Sequence, residues 1–133
     1  MFPLERARPG FDIAPCVPAL LTDDVESGRA FMKEYYSFYI GGMGARGKNF
    51  YNDLFSRYGY EAEAREIQDL FLGGQQREAA SKVPDAFVDE VALVGPKERI
   101  ADRLAAWRES GATTVLVSTR DEATLRAVAE AAG

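Results

Sequence analysis

The sequence predicts a predominantly helical α/β protein that is built around two parallel strands. Two apolar segments, residues 12–21 and 113–118, have the composition of strands, and five or six amphipathic segments occupy most of the remaining chain. A strand, a long helical stretch, a second strand and a helix form a βαβα arrangement, in which the strands are parallel. Two parallel strands cannot bury both faces or satisfy both edges alone, so the pattern indicates part of a larger parallel α/β fold.

The first strand is expected within residues 12–21, where Val, Ile and Leu precede a polar turn. Pro15 and Pro18 argue against a central position in the sheet, because each removes a backbone N–H donor. The acidic residues 23–24 are good N-caps for the helix that follows, and the glycines after residue 40 would end it. Residues 35–40, with the sequence YYSFYI, favour a strand as readily as a helix, so the residues alone leave both interpretations open.

The long stretch between the two strands is expected to be helical. Amphipathic spacing and terminating glycines predict helices at residues 50–58, 60–72 and 75–82, and a proline at a first helical position begins a further segment at residue 84. The strongest helix start is GPKE at residues 95–98, with proline first and glutamate in the first turn. Ile100, Leu104 and Trp107 follow at i, i+4 and i+7 and are expected to face the core.

The second strand, TTVLVS at residues 113–118, is β-branched and apolar on both faces, as expected of a buried parallel strand. Thr119 and Glu122 then have the spacing of a capping box for a last helix, which would reach about Ala131. Cys16 lies in the first apolar run and is expected to be buried as a small hydrophobic residue.

The composition excludes several classes of function. The 133 residues include 16 basic and 21 acidic side chains, and the net charge of −5 gives no general attraction for nucleic acid or anionic lipid. No apolar run approaches the roughly 20 residues of a membrane span. Cys16 is the single cysteine, which points to a reducing compartment and hence to a cytoplasmic location. Histidine is absent, so the commonest general base and zinc ligand is missing and no metal site is expected.

A glycine-rich basic loop is the most distinctive short motif. Residues 42–47 match the dinucleotide pattern G-x-G-x-x-G, and residues 42–48 match the phosphate-loop pattern G-x-x-x-x-G-K. Asn49, however, stands where a phosphate loop needs Ser or Thr for Mg²⁺, and the segment about 20 residues on is helical where the dinucleotide motif needs an acid after a strand. The loop is therefore expected to cap a helix, with Arg46 and Lys48 either solvated or facing an anionic ligand in a larger assembled site.

Three other features suggest roles by position. The acidic side chains at residues 61, 63, 66 and 69 form one helix face that is expected to be solvated. Arg120 directly follows the carboxyl end of the second strand, where parallel α/β folds place their ligands. The aromatic residues between 31 and 60 are expected in the core or in a subunit contact rather than in a stacking platform for a ligand.

Three longer stretches carry a family resemblance: FDIAPCVPALLTDDVESGR, YIGGMGARGKNFYNDLFSRYGYEAEAREIQDL and VDEVALVGPKERIADRLAAWRESGATTVLVST. On these stretches the chain resembles the C-terminal part of the luciferase-like monooxygenase family, in the actinobacterial branch that uses the deazaflavin coenzyme F420. The resemblance implies a (β/α)₈ barrel of which residues 1–133 hold the last quarter. Residues 13–21 would be the seventh strand and residues 113–118 the eighth, with a helical insertion at about residues 24–94. It also favours a helix at residues 35–40 and makes the phosphate-loop match coincidental.

The resemblance also implies an activity. Family members transfer a hydride between F420, or alternatively FMN, and a small organic substrate, while the protein orients and shields the cofactor. Most cofactor contacts would come from earlier strands, so no catalytic residue is assigned here, and the chain alone is expected to be inactive or nearly so. The barrel rule makes Thr22, Thr119 and Arg120 candidate ligand contacts past the strand ends, and Arg46 and Lys48 could meet the acidic tail of the cofactor.

The expected partners follow from the incomplete sheet. Exposed strand edges predict that the chain self-associates or requires the missing N-terminal portion of a barrel. A small-molecule substrate is expected, with no nucleic-acid partner and no membrane. Two alternatives remain: a small helical module that dimerises through its aromatic helices without catalysis, and a phosphate-loop protein that binds nucleotides.

Overall fold

The computed structural model describes residues 9–133. Within this range the chain forms two compact units. The sheet unit comprises residues 9–28 and 89–133, and the helical unit comprises residues 29–88. The first eight residues, which the predicted partial barrel domain 1–133 includes, lie outside the described residues.

The described chain alternates short strands with helices in the following order. The elements are β1 (Cys16–Leu21), α1 (Val25–Ser37), a π-helical turn (Phe38–Gly42), α2 (Phe50–Arg57), α3 (Glu61–Leu72), α4 (Gln76–Ser81), α5 (Asp85–Val91), β2 (Leu93–Gly95), α6 (Lys97–Glu109), β3 (Leu116–Ser118) and α7 (Glu122–Ala132). The predicted mixed α/β class with mostly helical content is confirmed. The YYSFYI segment is helical, since α1 continues directly into the π-helical turn.

Within residues 9–133 the sheet has three strands in the order β2-β1-β3, and both pairs are parallel. The predicted parallel pairing of the two apolar strands is confirmed, because β1 pairs with β3. The prediction of only two strands is wrong, since the apolar residues after α5 form β2. A strand of three residues has no periodicity of its own, and its pairing with β1 makes it a strand.

The expectation that the prolines keep β1 out of a central position is also wrong. The pairing is staggered: the first half of β1 pairs with β3 and the second half, from Ala19 onward, pairs with β2. The carbonyl of Pro15 accepts from the N–H of Leu116 at 2.9 Å. The backbone N–H and C=O groups of β1 residues an even number of positions from Pro15 therefore point toward β3. The backbone nitrogen of Pro18 therefore points toward β2, and Pro18 precedes the first residue of the β1–β2 ladder. Its missing N–H removes no hydrogen bond between strands.

The core of the sheet unit forms where β1 and β2 meet α6 and α7. Its buried residues are Val17, Ala19, Leu93, Ile100, Leu104 and Val128, and Trp107 packs against them from a half-buried position. The inward face predicted for α6 is thereby confirmed. Helix α7 is capped by Asp121, whose carboxylate accepts from the N–H groups of Ala123 and Thr124 at 3.4 and 2.9 Å. The capping box predicted for residues 119–122 is therefore wrong.

The exposure of β3 differs from the prediction of a buried strand. Leu116 is 51% exposed, and β3 pairs with β1 alone among the described strands. Cys16, expected to be buried, is also exposed. Both residues are paired with each other across the β1–β3 ladder, so one end of the sheet is open to solvent in this chain.

The helical unit packs around aromatic and aliphatic side chains. The ring of Phe55 stacks on Tyr60 with centroids 4.9 Å apart and meets Phe87 edge-on at 4.8 Å. Ile67 of α3 and Val83, which lies between α4 and α5, are also fully buried. The helices predicted at residues 50–58, 60–72 and 75–82 are confirmed to within two residues at each end.

Candidate functional site

The glycines around the basic loop serve close packing. A Cβ added at Gly41 would lie 2.5 Å from Cβ of Phe71, and one added at Gly42 would lie 2.5 Å from Cε1 of the same ring. A Cβ at Gly44 would meet the carbonyl oxygen of Lys48. Gly47 has φ +74°, a conformation that favours glycine. Chain packing and turn geometry thus account for the motif without a phosphate.

Asn49 occupies the helix N-terminus that a phosphate would need. Its Oδ1 accepts from the N–H groups of Tyr51 and Asn52 at 3.0 and 3.2 Å, and the N–H of Asp53 bonds to the Asn49 carbonyl. The N–H groups of residues 51–53 in the first turn of α2 are therefore already paired, whereas a phosphate loop leaves such amides to its ligand. The phosphate-loop alternative has no support in this geometry.

Two asparagines hold the loop, α2 and α3 in register. Asn49 is 1% exposed, and its Nδ2 donates to the carbonyls of Tyr39 and Ile40, both at 3.0 Å. The Nδ2 of Asn52 donates to the carbonyls of Ile40 and Ala64 at 3.0 and 2.8 Å. These bonds satisfy carbonyls at the π-helical turn and tie the start of α2 to that turn and to α3.

An open polar pocket of about 470 Å³ lies in the helical unit beside this loop, lined by Arg46, Asn52, Ser56, Glu61, Arg65, Gln68 and Asp69. Arg46 donates through Nε to Oδ1 of Asp69 at 2.8 Å, and its terminal nitrogen lies 2.7 Å from the same oxygen. Arg65 pairs with Glu61 at 3.4 Å one turn away on α3. Both ion pairs are solvent-exposed. Two arginines and two carboxylates give these four groups a net formal charge of zero.

The pocket contains one of the predicted site residues and several that the sequence reading missed. Arg46 lines it, whereas Lys48 is exposed and takes part in none of the ion pairs within residues 9–133. Glu61, Arg65 and Gln68 were missed as pocket residues, although their spacing of i, i+4 and i+7 places them on one helix face. The predicted acidic face is solvated as expected, but two of its members pair with basic residues outside α3.

The sheet unit holds the other predicted residues. Thr119 is half-buried, its hydroxyl oxygen accepts from the N–H of Asp121 at 3.2 Å, and Arg120 is exposed. The hydroxyl oxygen of Thr22 accepts from the N–H of Asp24 at 3.1 Å, and the N–H of Thr22 donates to the carbonyl of Gly95. The two threonines do not converge, because the stagger of the ladders carries β1 roughly 10 Å beyond β3.

Two carboxyl groups of the sheet unit have a lowered pKa because they accept hydrogen bonds at the start of a helix. The hydroxyl and N–H of Ser27 donate to Asp24, and these bonds hold the pKa of that carboxyl below its usual range. The hydroxyl and N–H of Thr124 lower the pKa of Asp121 in the same way. Both groups are helix caps, so neither shift marks a catalytic acid or base.

Residues 9–133 contain neither a cluster of metal-ligand side chains nor a helix suited to a membrane. No group of three or more potential ligand side chains is placed to hold a metal ion. None of the helices in this range combines the length and the apolar character needed to cross a membrane.

Comparison with known proteins assigns the family. The luciferase-like monooxygenase family matches residues 4–114, so the chain belongs to that family, as its motifs indicated. A curated relative from Mycobacterium tuberculosis, named "Putative coenzyme F420-dependent oxidoreductase Rv3520c", is 34% identical over 113 residues, which is 85% of this chain. The chain spans about a third of the length of that relative, namely 33%. No solved structure gives a significant match.

Proposed function

We propose that this chain is the C-terminal portion of a coenzyme F420-dependent oxidoreductase that transfers a hydride between F420 and a small organic substrate. The family membership and the printed name of the relative support this class of cofactor. The observation that carries the proposal is the parallel pairing of β1 with β3 across a long helical stretch, in a chain that matches the family over residues 4–114. Neighbouring parallel strands joined through helices are the repeating unit of a (β/α)₈ barrel.

In this proposal β1 and β3 are the last two strands of the barrel, and other βα units cover the open edge of β3. The 51% exposure of Leu116 on β3 supports this arrangement, because an apolar residue on a barrel strand is normally enclosed. The relative is about three times as long as the matched part, which leaves room for the remaining units. The chain alone then has an incomplete barrel and is inactive or nearly so.

When bound, F420 supplies the hydride chemistry, and the protein positions and shields it. We assign the polar pocket of the helical unit to the acidic tail of the cofactor, with Arg46 and Arg65 as cationic donors and Gln68 as an amide partner. The exposed ion pairs that these arginines form are each worth about 0–1 kcal/mol, so exchanging one carboxylate partner for another is inexpensive. Lys48 adds positive charge on the same loop.

Barrel enzymes bind their ligands at the carboxyl ends of the strands, so we assign Thr119 and Arg120, which follow β3, to ligand contacts there. Arg120 is exposed and lies two residues past β3, where a guanidinium can donate to an anionic group of cofactor or substrate. No residue of the described chain is assigned to the hydride-transfer step.

A titration of F420 fluorescence with the purified chain tests the cofactor assignment. We expect saturable binding that weakens roughly tenfold in Arg65→Glu, because one attraction becomes a repulsion. Arg126→Glu is the matched control, since Arg126 forms an equally exposed i,i+4 pair with Glu122 in the sheet unit. If a deazaflavin without the acidic tail binds equally well, the assignment of the polar pocket to the tail is refuted and the cofactor assignment stands. Binding of FMN but not F420 would favour the alternative cofactor.

A chimera tests the barrel. This chain replaces the matching third of the Mycobacterium tuberculosis relative, and the parent relative is the positive control for F420 binding. We expect the chimera to fold cooperatively and to bind F420. Aggregation of the chimera, together with a stable monomeric state of the isolated chain, would contradict the placement of β1 and β3 in a shared barrel.

A further inference from the structure

The two faces of the sheet differ in how they are covered. Val17 and Ala19 of β1 belong to the buried cluster under α6 and α7, and Val117 of β3 packs against the same cluster. Side chains alternate between the two faces along a strand. The opposite face of the β1–β3 ladder therefore carries four side chains: Cys16, Pro18, Leu116 and Ser118. We call this surface the open face.

The open face is apolar apart from one hydroxyl. Leu116 is 51% exposed, Cys16 and Ser118 are also exposed, and Pro18 is half-buried. The register pairs Cys16 with Leu116 and Pro18 with Ser118, so the hydroxyl lies one layer nearer to the carboxyl ends of the strands. None of the four side chains carries a charge. The open face is thus an uncharged floor with a single polar group at its carboxyl-end border.

The neighbouring part of the same side of the sheet is already covered. Leu20 of β1, which alternation places on the side of Pro18, pairs with Val94 of β2. A Cβ added at Gly28 would lie 2.5 Å from Cγ1 of Val94 and 3.7 Å from Cδ2 of Leu20, so the backbone at Gly28 packs directly on this pair. The cover ends there, and the ladder between β1 and β3 stays accessible within residues 9–133.

The hydroxyl of Ser118 is available to a ligand. Its side chain takes part in no hydrogen bond within residues 9–133. By contrast, the hydroxyls of Thr22 and Thr119 each accept from the N–H two residues further along the chain. Ser118 is also the last residue of β3, which is the level at which barrel enzymes bind their ligands. A serine hydroxyl there can both donate and accept.

We propose that the ring of the bound cofactor lies against the open face and that the hydroxyl of Ser118 hydrogen-bonds to its polar edge. The inference rests on the proposed function. A deazaflavin ring is planar and largely apolar, and one edge carries carbonyl oxygens and an N–H that a hydroxyl can meet. An uncharged floor fits this ring better than it fits the acidic tail, which needs cations such as those of the polar pocket. The ring of FMN has the same polar edge, so the assignment holds for either cofactor.

Protection of Cys16 from iodoacetamide tests the position of the ring in the full chain. Cys16 is the single cysteine, is exposed and lies beside Leu116 on the open face, so it reports on a ring that is bound there. The probes are F420 and a deazaflavin that lacks the acidic tail, and fluorescence titration gives the dissociation constant of each. At ten times that constant we expect alkylation of Cys16 to slow about tenfold with either probe.

Two variants with side chains of the same shape isolate the hydroxyl. Ser118→Thr keeps it and Ser118→Val lacks it, and both side chains suit a strand. The tail-less deazaflavin should bind Ser118→Val about two- to tenfold more weakly than Ser118→Thr, which is the value of one hydrogen bond. Ser110→Ala is the control, because that hydroxyl donates to the carbonyl of Trp107 at the end of α6. It should leave both binding and protection unchanged.

The possible results separate this inference from the proposed function. F420 that binds while Cys16 stays fully reactive would overturn the ring position and leave the cofactor assignment standing. Equal affinities of Ser118→Thr and Ser118→Val would overturn the role of the hydroxyl. No binding of either probe would overturn the cofactor assignment and this inference together. Circular dichroism and the emission of Trp107 verify that each variant is folded, and Ser118→Ala replaces Ser118→Val should the latter unfold.

Discussion

Replacing Asn49 by alanine should destabilise the helical unit by a predictable amount. The side chain is 1% exposed and forms four hydrogen bonds to the backbone, two as acceptor at the start of α2 and two as donor to the π-helical turn. Alanine removes all four and leaves polar backbone groups buried without those partners. No other residue of the loop combines a cap with bonds to the preceding element in this way.

The expected loss can be worked out from these bonds. Loss of an N-cap costs about 1 kcal/mol. The donor half adds about 1–3 kcal/mol for the Tyr39 carbonyl, whereas the Ile40 carbonyl keeps its bond from Asn52. The free energy of unfolding should therefore fall by about 2–4 kcal/mol in Asn49→Ala. Asn49→Ser keeps an acceptor for the cap and should lose only the donor half.

Urea unfolding followed by two fluorescence signals is the assay. All six tyrosines lie in the helical unit, and the single tryptophan, Trp107, lies in the sheet unit. Tyrosine emission should shift to a lower urea midpoint in Asn49→Ala. Asp121→Ala removes the cap of α7 and is the matched control, whose effect should appear first in the tryptophan signal.

A tyrosine midpoint of Asn49→Ala that corresponds to a loss below about 1 kcal/mol would contradict the donor contribution, since a cap alone would explain that value. An Asn49→Asp variant as stable as the wild type would contradict it as well. A carboxylate at this position can cap α2 but has no donor for the Tyr39 and Ile40 carbonyls.

Three further predictions concern packing, a buried hydroxyl and pH. Gly42→Ala should lower the unfolding free energy by about 1–3 kcal/mol, because the new Cβ meets Cε1 and Cζ of Phe71. Phe71→Leu removes those two atoms and should relieve this loss. It should not relieve Gly41→Ala, whose new Cβ meets the Cβ that leucine keeps. Thr124→Val should cost about 1–3 kcal/mol, because the buried hydroxyl accepts the N–H at the end of β1 at 2.9 Å. The lowered pKa of Asp121 means that its stabilisation is present above about pH 5 and is lost as the pH falls through that lowered value, and Asp121→Asn should flatten this acid-side decline.

Each of these has a direct check. Urea midpoints of the two glycine variants, with and without the leucine replacement, form double-mutant cycles, and equal relief in both would contradict the packing account. Thr124→Ser keeps the hydroxyl and should remain closer to the wild type than Thr124→Val. Tryptophan-detected midpoints between about pH 3 and pH 6 should converge for Asp121→Asn and the wild type at the acid end.

Local sequence patterns predicted most of the helices because their determinants are local. Asp24 was expected to cap α1 and receives the N–H and hydroxyl of Ser27. Ile100 and Leu104 were expected to face the core and are buried. Helical spacing and caps act within a few residues, so one sequence contains the information. The family also followed from sequence, since its motifs are contiguous.

The candidate site was predictable only in part. Arg46 was identified from its loop, but its partner Asp69 lies 23 residues away, and only folding brings the two together. Asn49 was noted as an unsuitable phosphate-loop residue and proved to be the cap that occupies the amides in question. No single sequence motif predicts the pocket, because its lining residues come from the loop, α2 and α3.

The sequence by itself determined the class of fold, the boundaries of most helices and the family, since these depend on short-range spacing and contiguous motifs. Tertiary structure alone decided that Leu93–Gly95 is a strand, that Pro18 fits a central strand and that Leu116 lies at an exposed edge. The physical reason is that a hydrogen bond between strands, and the burial of a side chain, depend on partners that are distant in sequence.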